Sequence, residues 1–358
     1  MRGLAVGLPR AQICAMLPLS VLDLSFTTTA TSGAQALRNS LDLARLADRL
    51  GYRRYWVAEH HNLPSVASGA PEIMIGAIAA ATHHIRVGAG GVMLPNHAPL
   101  MVAERFKVLE ALYPGRIDLG IGRAPGTDPL TTLALRRRQD GRGEDDFLER
   151  FQELMLWKSG AFPENHPFRK IRVMPEDVPV PPVWLLGSGE YSARLAGEVG
   201  LGFAFAHHFA SLEAEEAMEL YRESFRPSTW LERPYAILAT AVVCADSDEA
   251  AERLAATADH AYIRRWRGDY GPLVSPEEAL AYRYTPSEEE ARRANRRRLF
   301  VGSPDTVARH LGAFARAVRA DEIMVTTAIF DHAARKRSYE LFARAFGLVP
   351  PATSQGTP

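Results

Sequence analysis

The feature that most restricts the fold of this chain is an alternation repeated almost from end to end. Short β-branched or apolar runs are each followed by a longer amphipathic segment. Eight runs have strand character: "QICAML" (12–17), "RRYWVA" (53–58), "IRVGAGGVML" (85–94), "RIDLGIG" (116–122), "PVWLLG" (182–187), "GFAFA" (202–206), "YAILATAVVCA" (235–245) and "DEIMVTTAI" (321–329). Between them the pattern turns helical. In 34–52, Leu37, Leu41, Ala44, Leu46 and Leu50 recur near helical spacing before Gly51. Further helices are expected over 71–84, 99–115, 145–158, 191–200 and 213–223, from 247 onward, and in a closing segment to about residue 346. Strands joined by helices run parallel, and eight such units in 358 residues fit a closed (β/α)8 barrel better than a doubly wound sheet. A two-domain Rossmann arrangement is the structural alternative.

Two segments break the rhythm. Residues 267–299 hold two proline-marked turns and a dense charge run before "FVGSPDTVARHLGAFARAV", which reads as a lid over the barrel mouth or as a solvated loop with a short surface helix. A second excursion, "RAPGTDPLTTLALRRRQDGRGEDD", leaves the fourth strand.

Charge and cysteine content narrow the class. Lys+Arg 42 against Asp+Glu 42 gives a formal net charge of +0, which removes the electrostatic footprint of a nucleic-acid or membrane-surface binder and points to small-molecule partners. Cys14 and Cys244 are too few for a disulfide framework and suit a reducing cytoplasm. Pro9 and Arg10 interrupt the apolar start before a signal-peptide core forms, and no stretch is long and apolar enough to span a bilayer.

The C-terminal ends of parallel barrel strands are where chemistry is placed. There this chain puts Glu59, His60 and His61, then Gly90 and Gly91, then Gly122, Arg123 and Ala124, then Gly187, Ser188 and Gly189, then His207 and His208. In "GSGEYSARLAGEVG" (187–200), small residues after a strand turn backbone N–H groups toward an anion, Ser192 adds a hydroxyl, and the following helix points its positive end at the same place. That describes a phosphate site, and Arg123 on a neighbouring loop would complete the clamp. It is not the dinucleotide glycine pattern, whose third glycine is missing. The histidine pairs 60/61, 83/84 and 207/208 do not read as metal ligands: adjacent residues on a strand face opposite ways, and H-E-x-x-H is absent. No metal is expected. His83 and His84 fit structural roles at a helix end, whereas His207 and His208 fit pocket lining or simple packing equally well. The serine-hydrolase elbow G-x-S-x-G is also missing.

At "YWVAEHH", "IRVGAGGVMLPNHAPL", "ALYPGRIDLGIGRAPGTD", "PVWLLGSGEYSARLAGEVGLGFAFA" and "VGSPDTVARHLGAFARAVRADEIMVTTAIFDHAARKRSYEL", the chain resembles the bacterial luciferase-like flavin monooxygenases, from about Leu17 to Phe346. The resemblance implies one TIM-type barrel domain over 17–347, with a mobile lid inserted between strands seven and eight at about 267–299. It also implies an N-terminal extension over 1–16 and a flexible tail over 348–358. His60 matches the family's catalytic histidine and Glu59 its flavin-site acid. Gly90 and Gly91 match a non-proline cis peptide under the isoalloxazine ring. Arg123 matches a phosphate arginine, and Gly187, Ser188, Gly189 and Ser192 match the phosphate loop. There are departures: Gly122 stands where luciferase has a reactive thiol, Ser188 where it has a glutamate, and "GEDDFLER" (143–150) offers no clear second phosphate arginine.

By resemblance the function is two-component monooxygenation. A separate NAD(P)H:flavin reductase supplies FMNH2, O2 adds as co-substrate to give a C4a-hydroperoxyflavin, and one oxygen atom passes to an apolar organic substrate, aromatic ones included. Phe205, Phe209, Trp266 and Tyr270 are the aromatic rim candidates for that substrate. The family also implies a homodimer through the helices after strands two and three. Two rivals stand beside this reading: an F420- or flavin-dependent oxidoreductase on the same barrel, and a non-catalytic flavin-binding protein.

Overall fold

Among the described residues, ten strands make one parallel sheet that curls until its ends meet. The computed structural model describes residues 17–124, 126–136, 146–210 and 212–351. The strands are β1 (Leu19–Asp23), β2 (Arg54–Val57), β3 (Arg86–Ala89), β4 (Val92–Met93), β5 (Ile117–Gly122), β6 (Val183–Gly187), β7 (Gly202–Ala206), β8 (Ala236–Cys244), β9 (Leu299–Gly302) and β10 (Glu322–Thr326). β1 pairs with β2 and β10, and β10 pairs with β8, so β1, β2, β3, β5, β6, β7, β8 and β10 close an eight-stranded barrel. Helices on the outside and packed side chains inside leave most strand residues buried on both faces, which is why the strands read as continuous apolar runs.

Two sequence expectations change, and others fall outside the described residues. The run at 12–17 lies outside the described residues apart from Leu17, as do the 1–16 extension, residues 143–145 of "GEDDFLER" and the tail beyond 351; the first described strand is Leu19–Asp23. "IRVGAGGVML" is not one strand. Its Gly90–Gly91 peptide is cis, β3 ends at Ala89, and the chain resumes as β4 against the end of β5. "LFVG", which is not among the eight expected strands, is β9, which pairs in parallel with the last residues of β8 beyond the barrel wall (Ala241↔Leu299 to Cys244↔Gly302).

Residues 267–298 are largely helical rather than irregular. Helices Pro276–Ala281 and Pro286–Asn295 carry Ser and Thr caps, the second with a full capping box between Thr285 and Glu288. Arg292 and Arg296 tie the segment to Asp259 at 2.9 and 2.7 Å. Its first stretch is bonded to loops of the barrel mouth, Leu273 N–H to Thr27 O at 3.0 Å and Ser65 N–H to Tyr270 O at 2.9 Å.

The lower end of the barrel is plugged by charge. Arg54, first residue of β2, lies inside with its Nε donating to both carboxylate oxygens of Glu322 on β10 at 3.1 Å and its Nη1 to Asp118 on β5 at 2.7 Å. Arg86 of β3 meets the other Asp118 oxygen at 2.6 Å, while Tyr235 and Ser20 of β1 donate to Glu322. Burial would push the Asp118 carboxyl up, but Arg54 and Arg86 hold it below the usual carboxylate range. Above this layer Trp56 donates Nε1–H to Asp118 at 3.2 Å and meets Trp184 edge-on at 5.7 Å. A β-carbon on Gly88 would come within 2.8 Å of that indole nitrogen, so only glycine leaves Trp56 its place. Replacing Arg54 by Met strands two buried carboxylates. We expect the chain to lose about 3–5 kcal/mol of stability, read from the denaturation midpoint of tryptophan fluorescence; a loss below about 1 kcal/mol, the scale of an exposed pair, would overturn this account of the plug.

Candidate active site

Where the strands emerge at their C-terminal ends, a cavity of about 1080 Å³ opens. Its floor is apolar and drawn from inward-facing strand positions: Leu22, Trp56, Leu186, Ala204, Ala239 and Met324. Ala204 and Ala206 face in, so strand alternation turns Phe203 and Phe205 outward into the helical layer. Phe205 is therefore core, not rim. Of the four aromatic candidates, only Phe209 lines the cavity, and Trp266 and Tyr270 lie on the surface outside it.

The cavity brings together His60, Gly90, Gly91, Gly122, Arg123, Gly187, Ser188, Gly189 and Ser192. Glu59 is the exception. Fully buried behind the wall, its Oε1 accepts from His61 Nε2 and from His97 Nε2, each at 2.8 Å, and its Oε2 accepts from Met93 N–H at 2.9 Å. Burial would raise this carboxyl, but hydrogen bonds from His97, His61 and Met93 bring it below its ordinary value, so it stays ionised. The clasp joins the end of β2 to the residues after the cis peptide. Reading the sequence missed His97, because nothing marks a lone histidine after "LPN" as a partner of Glu59.

His60 is placed by that clasp and by one glycine. Its Nδ1 lies 3.3 Å from Gly126 O. A carbonyl only accepts, so Nδ1 carries the hydrogen and Nε2 keeps its lone pair. Gly126 sits at φ +66°, and a β-carbon there would press on Glu59 O at 3.1 Å, so the conformation and the space both call for glycine. Burial lowers the His60 pKa below its usual value; Gly126 and Glu59 oppose this, and the charge of Arg265 reinforces it. His60 is thus neutral at pH 7. The pair left open at 207/208 divides: His208 lines the cavity with Nδ1 on Ala239 O at 3.1 Å, and burial pushes its pKa down to about 4. His207 is buried against Phe314, ring centroids 4.9 Å apart. His83 and His84 are exposed, and their backbone N–H groups bond Asp48 at 2.8 and 2.9 Å.

The opposite wall is an anion cradle. Helix Glu190–Val199 starts at Gly189 with no side-chain cap, which leaves its first N–H groups to a ligand. A β-carbon on Gly187 would fall 2.2 Å from Ser192 Oγ, so glycine lets that hydroxyl close on the strand end. Arg123 stacks over Tyr191 of the same helix at 4.6 Å. Apolar floor, small residues at the rim and a cradle with a fixed cation fit a flat, phosphorylated cofactor of FMN's size. Arg136, Arg265 and Arg298 also line the cavity; all three fall in charge-rich stretches where the sequence singles out no arginine. No group of three or more potential metal ligands occurs among the described residues.

The profile of the luciferase-like monooxygenase family matches residues 17–321. A luciferase-like monooxygenase of Escherichia coli (strain K12) is 45% identical over 322 residues, 90% of this chain and 95% of that protein. The N-acetyl-S-alkylcysteine monooxygenase of Bacillus subtilis (strain 168) is 32% identical over 332 residues, 92% of this chain and 98% of its own. The crystal structure of apo-MsnO8 superposes with a TM-score of 0.85 at 40% identity, covering 94% of this chain and 99% of that one. A barrel with its cavity at the strand ends, matched by relatives over nearly its whole length, belongs to an enzyme of the oxidoreductase class: this chain is a member of the luciferase-like monooxygenase family.

Proposed function

We propose that this chain is the oxygenase component of a two-component, cytoplasmic system. A separate NAD(P)H:flavin reductase supplies reduced FMN, and the chain transfers one atom of O2 to a small organic substrate. The observation that carries this reading is convergence: a neutral imidazole with a free lone pair, the cis Gly90–Gly91 peptide and an anion cradle open onto one cavity with an apolar floor. Bound reduced FMN supplies the reducing equivalents for oxygen activation. The chain's residues do the rest. Arg123, Ser188, Ser192 and the N-terminus of helix Glu190–Val199 hold the phosphate. Gly90 and Gly91, which line the cavity without side chains, would leave room for the ring. His60 Nε2 takes up and returns a proton beside the ring, and His61 and His97 keep its neighbour Glu59 ionised. The apolar floor and the cover formed by 267–299, acting as a lid, keep bulk water from the reaction.

A homodimer is part of the proposal. The helices after β2 and β3, Pro71–Ala80 and Pro99–Leu112, are apolar on their outer sides too, with Ile73 70% and Leu112 65% exposed beside Met101 and Val108.

The cofactor test is anaerobic titration with reduced FMN followed by mixing with oxygenated buffer. Wild type should bind it and release peroxide more slowly than free reduced flavin does. His60→Ala should shorten that delay about a hundredfold, the low end of a general acid–base effect, and Arg123→Ala should weaken binding about tenfold or more. Reoxidation at the free-flavin rate despite confirmed binding would favour an F420-dependent oxidoreductase or a non-catalytic flavin binder. In the pH profile, activity should hold above the ordinary histidine value of about 6.5 and fall on acidification, at a pH lowered by burial. The fall comes because proton uptake needs the neutral imidazole; His60→Gln should remove that limb. In light scattering the wild type should be a dimer, and Ile73→Arg with Leu112→Arg should yield a monomer of unchanged circular dichroism; a monomeric wild type would sink the dimer.

A further inference from the structure

The cavity wall carries more positive charge than a cofactor phosphate calls for. Arg123, Arg136, Arg265 and Arg298 line it, and among the described residues the one lining carboxylate, Glu190, is already paired with Arg194 at 2.9 Å. Arg123 belongs to the cradle, and Arg136 donates Nε–H to Asn96 Oδ1 at 3.1 Å. Arg265 and Arg298 differ. Among the described residues, neither guanidinium has a carboxylate partner or a hydrogen bond; Arg265 lies 5.8 Å from the centre of the Tyr262 ring.

Elsewhere the chain does not leave enclosed guanidiniums alone. Arg54 has two carboxylates, Arg335 meets Asp23 at 2.7 Å, and Arg292 and Arg296 share Asp259. Arg265 is solvent-accessible, yet protein surrounds it closely enough that desolvation lowers its pKa. A side chain in that position faces the interior of a cleft. An arginine stays charged there, so the missing partner is an anion that comes and goes.

The place of the two cations separates them from the phosphate. The cradle sits over β5 and β6. Arg265 ends the helix Asp248–Trp266 that follows β8, and Arg298 lies in the turn before β9, with β7 between β8 and β6 in the barrel order. Arg265 is also close enough to His60 and His208 for its charge to act on both imidazoles. We propose that Arg265 and Arg298 bind the carboxylate of an anionic organic substrate whose apolar body rests on the floor of the cavity, beside His60. The substrate class is thus an apolar molecule with an acidic head group rather than an uncharged one. This rests on the reading of the cavity as the active site.

The test uses octanoate and octanamide, which share an apolar body and differ in charge, in calorimetric titrations of the protein with and without saturating FMN. Octanoate should bind about tenfold tighter or more, the scale of a charge-assisted contact. The double variant Arg265→Gln, Arg298→Gln should erase that preference while octanamide and FMN affinities stay within about twofold. Equal affinity of the two probes for the native protein, or a preference that survives both substitutions, would overturn the proposal. So would a large loss of FMN affinity in the variant, which would assign the guanidiniums to the cofactor. If reduced FMN, titrated anaerobically, fails to bind the native protein, the oxygenase reading falls, and the titration without FMN still decides the head group.

Discussion

Arg54 joins β2, β5 and β10 through two carboxylates, and the geometry of the mouth depends on that join. Parallel strands contribute to a site only if their ends arrive at consistent heights, and hydrogen bonds between strands fix the register of neighbours alone. The guanidinium reaches across: Asp118 is two barrel positions from β2 on one side, and Glu322 two on the other. A fork of fixed donors sets distance and angle together, where an apolar plug would set only volume. Such a layer is costly to desolvate, and its stability comes from completeness, with Ser20, Tyr235, Trp56 and Arg86 using the remaining carboxylate positions.

The same device recurs at the upper end on a smaller scale. Glu59 is as buried as Asp118 and is satisfied by two imidazoles and a backbone N–H. It ties β2 to the chain that follows Gly90–Gly91, where the strand ladder is interrupted and cannot tie it. His60, next in sequence, inherits its position from this anchor on one side and from Gly126 on the other. A residue expected to touch the flavin thus acts from behind the wall, positioning the one that lines the cavity.

What was legible in the sequence is what depends on periodicity and local backbone chemistry. Seven barrel strands, most helix bounds within one or two residues, the cavity-lining glycines and the uncapped helix start at Gly189 follow from patterns of a few residues. Contacts between distant segments were not legible. The cis peptide at Gly90–Gly91 was implied by the resemblance, whereas β9 exists because β8 outruns the barrel and offers an open edge. A strand's inward set cannot be told from its outward set when both are apolar, so the sequence alone offers Phe205 to the rim; Ala204 and Ala206, small enough to leave a cavity, hold the information. Arg265 and Arg298 were hidden in charge runs, since only the finished barrel shows which arginines lack a carboxylate.

The division of charge in the cavity bears on how binding and chemistry are kept apart. Burial and the neighbouring Arg265 hold His60 and His208 neutral, so the cavity's fixed positive charge resides in arginines alone. Guanidinium charge does not change over the neutral range, while the imidazole changes state only at lower pH. The arginine charges then persist while His60 takes up and releases a proton. The separation also runs the other way. An anion seated on Arg265 would shield the charge that depresses His60 and raise the imidazole's basicity, so an acidic substrate would tune the proton acceptor it sits beside.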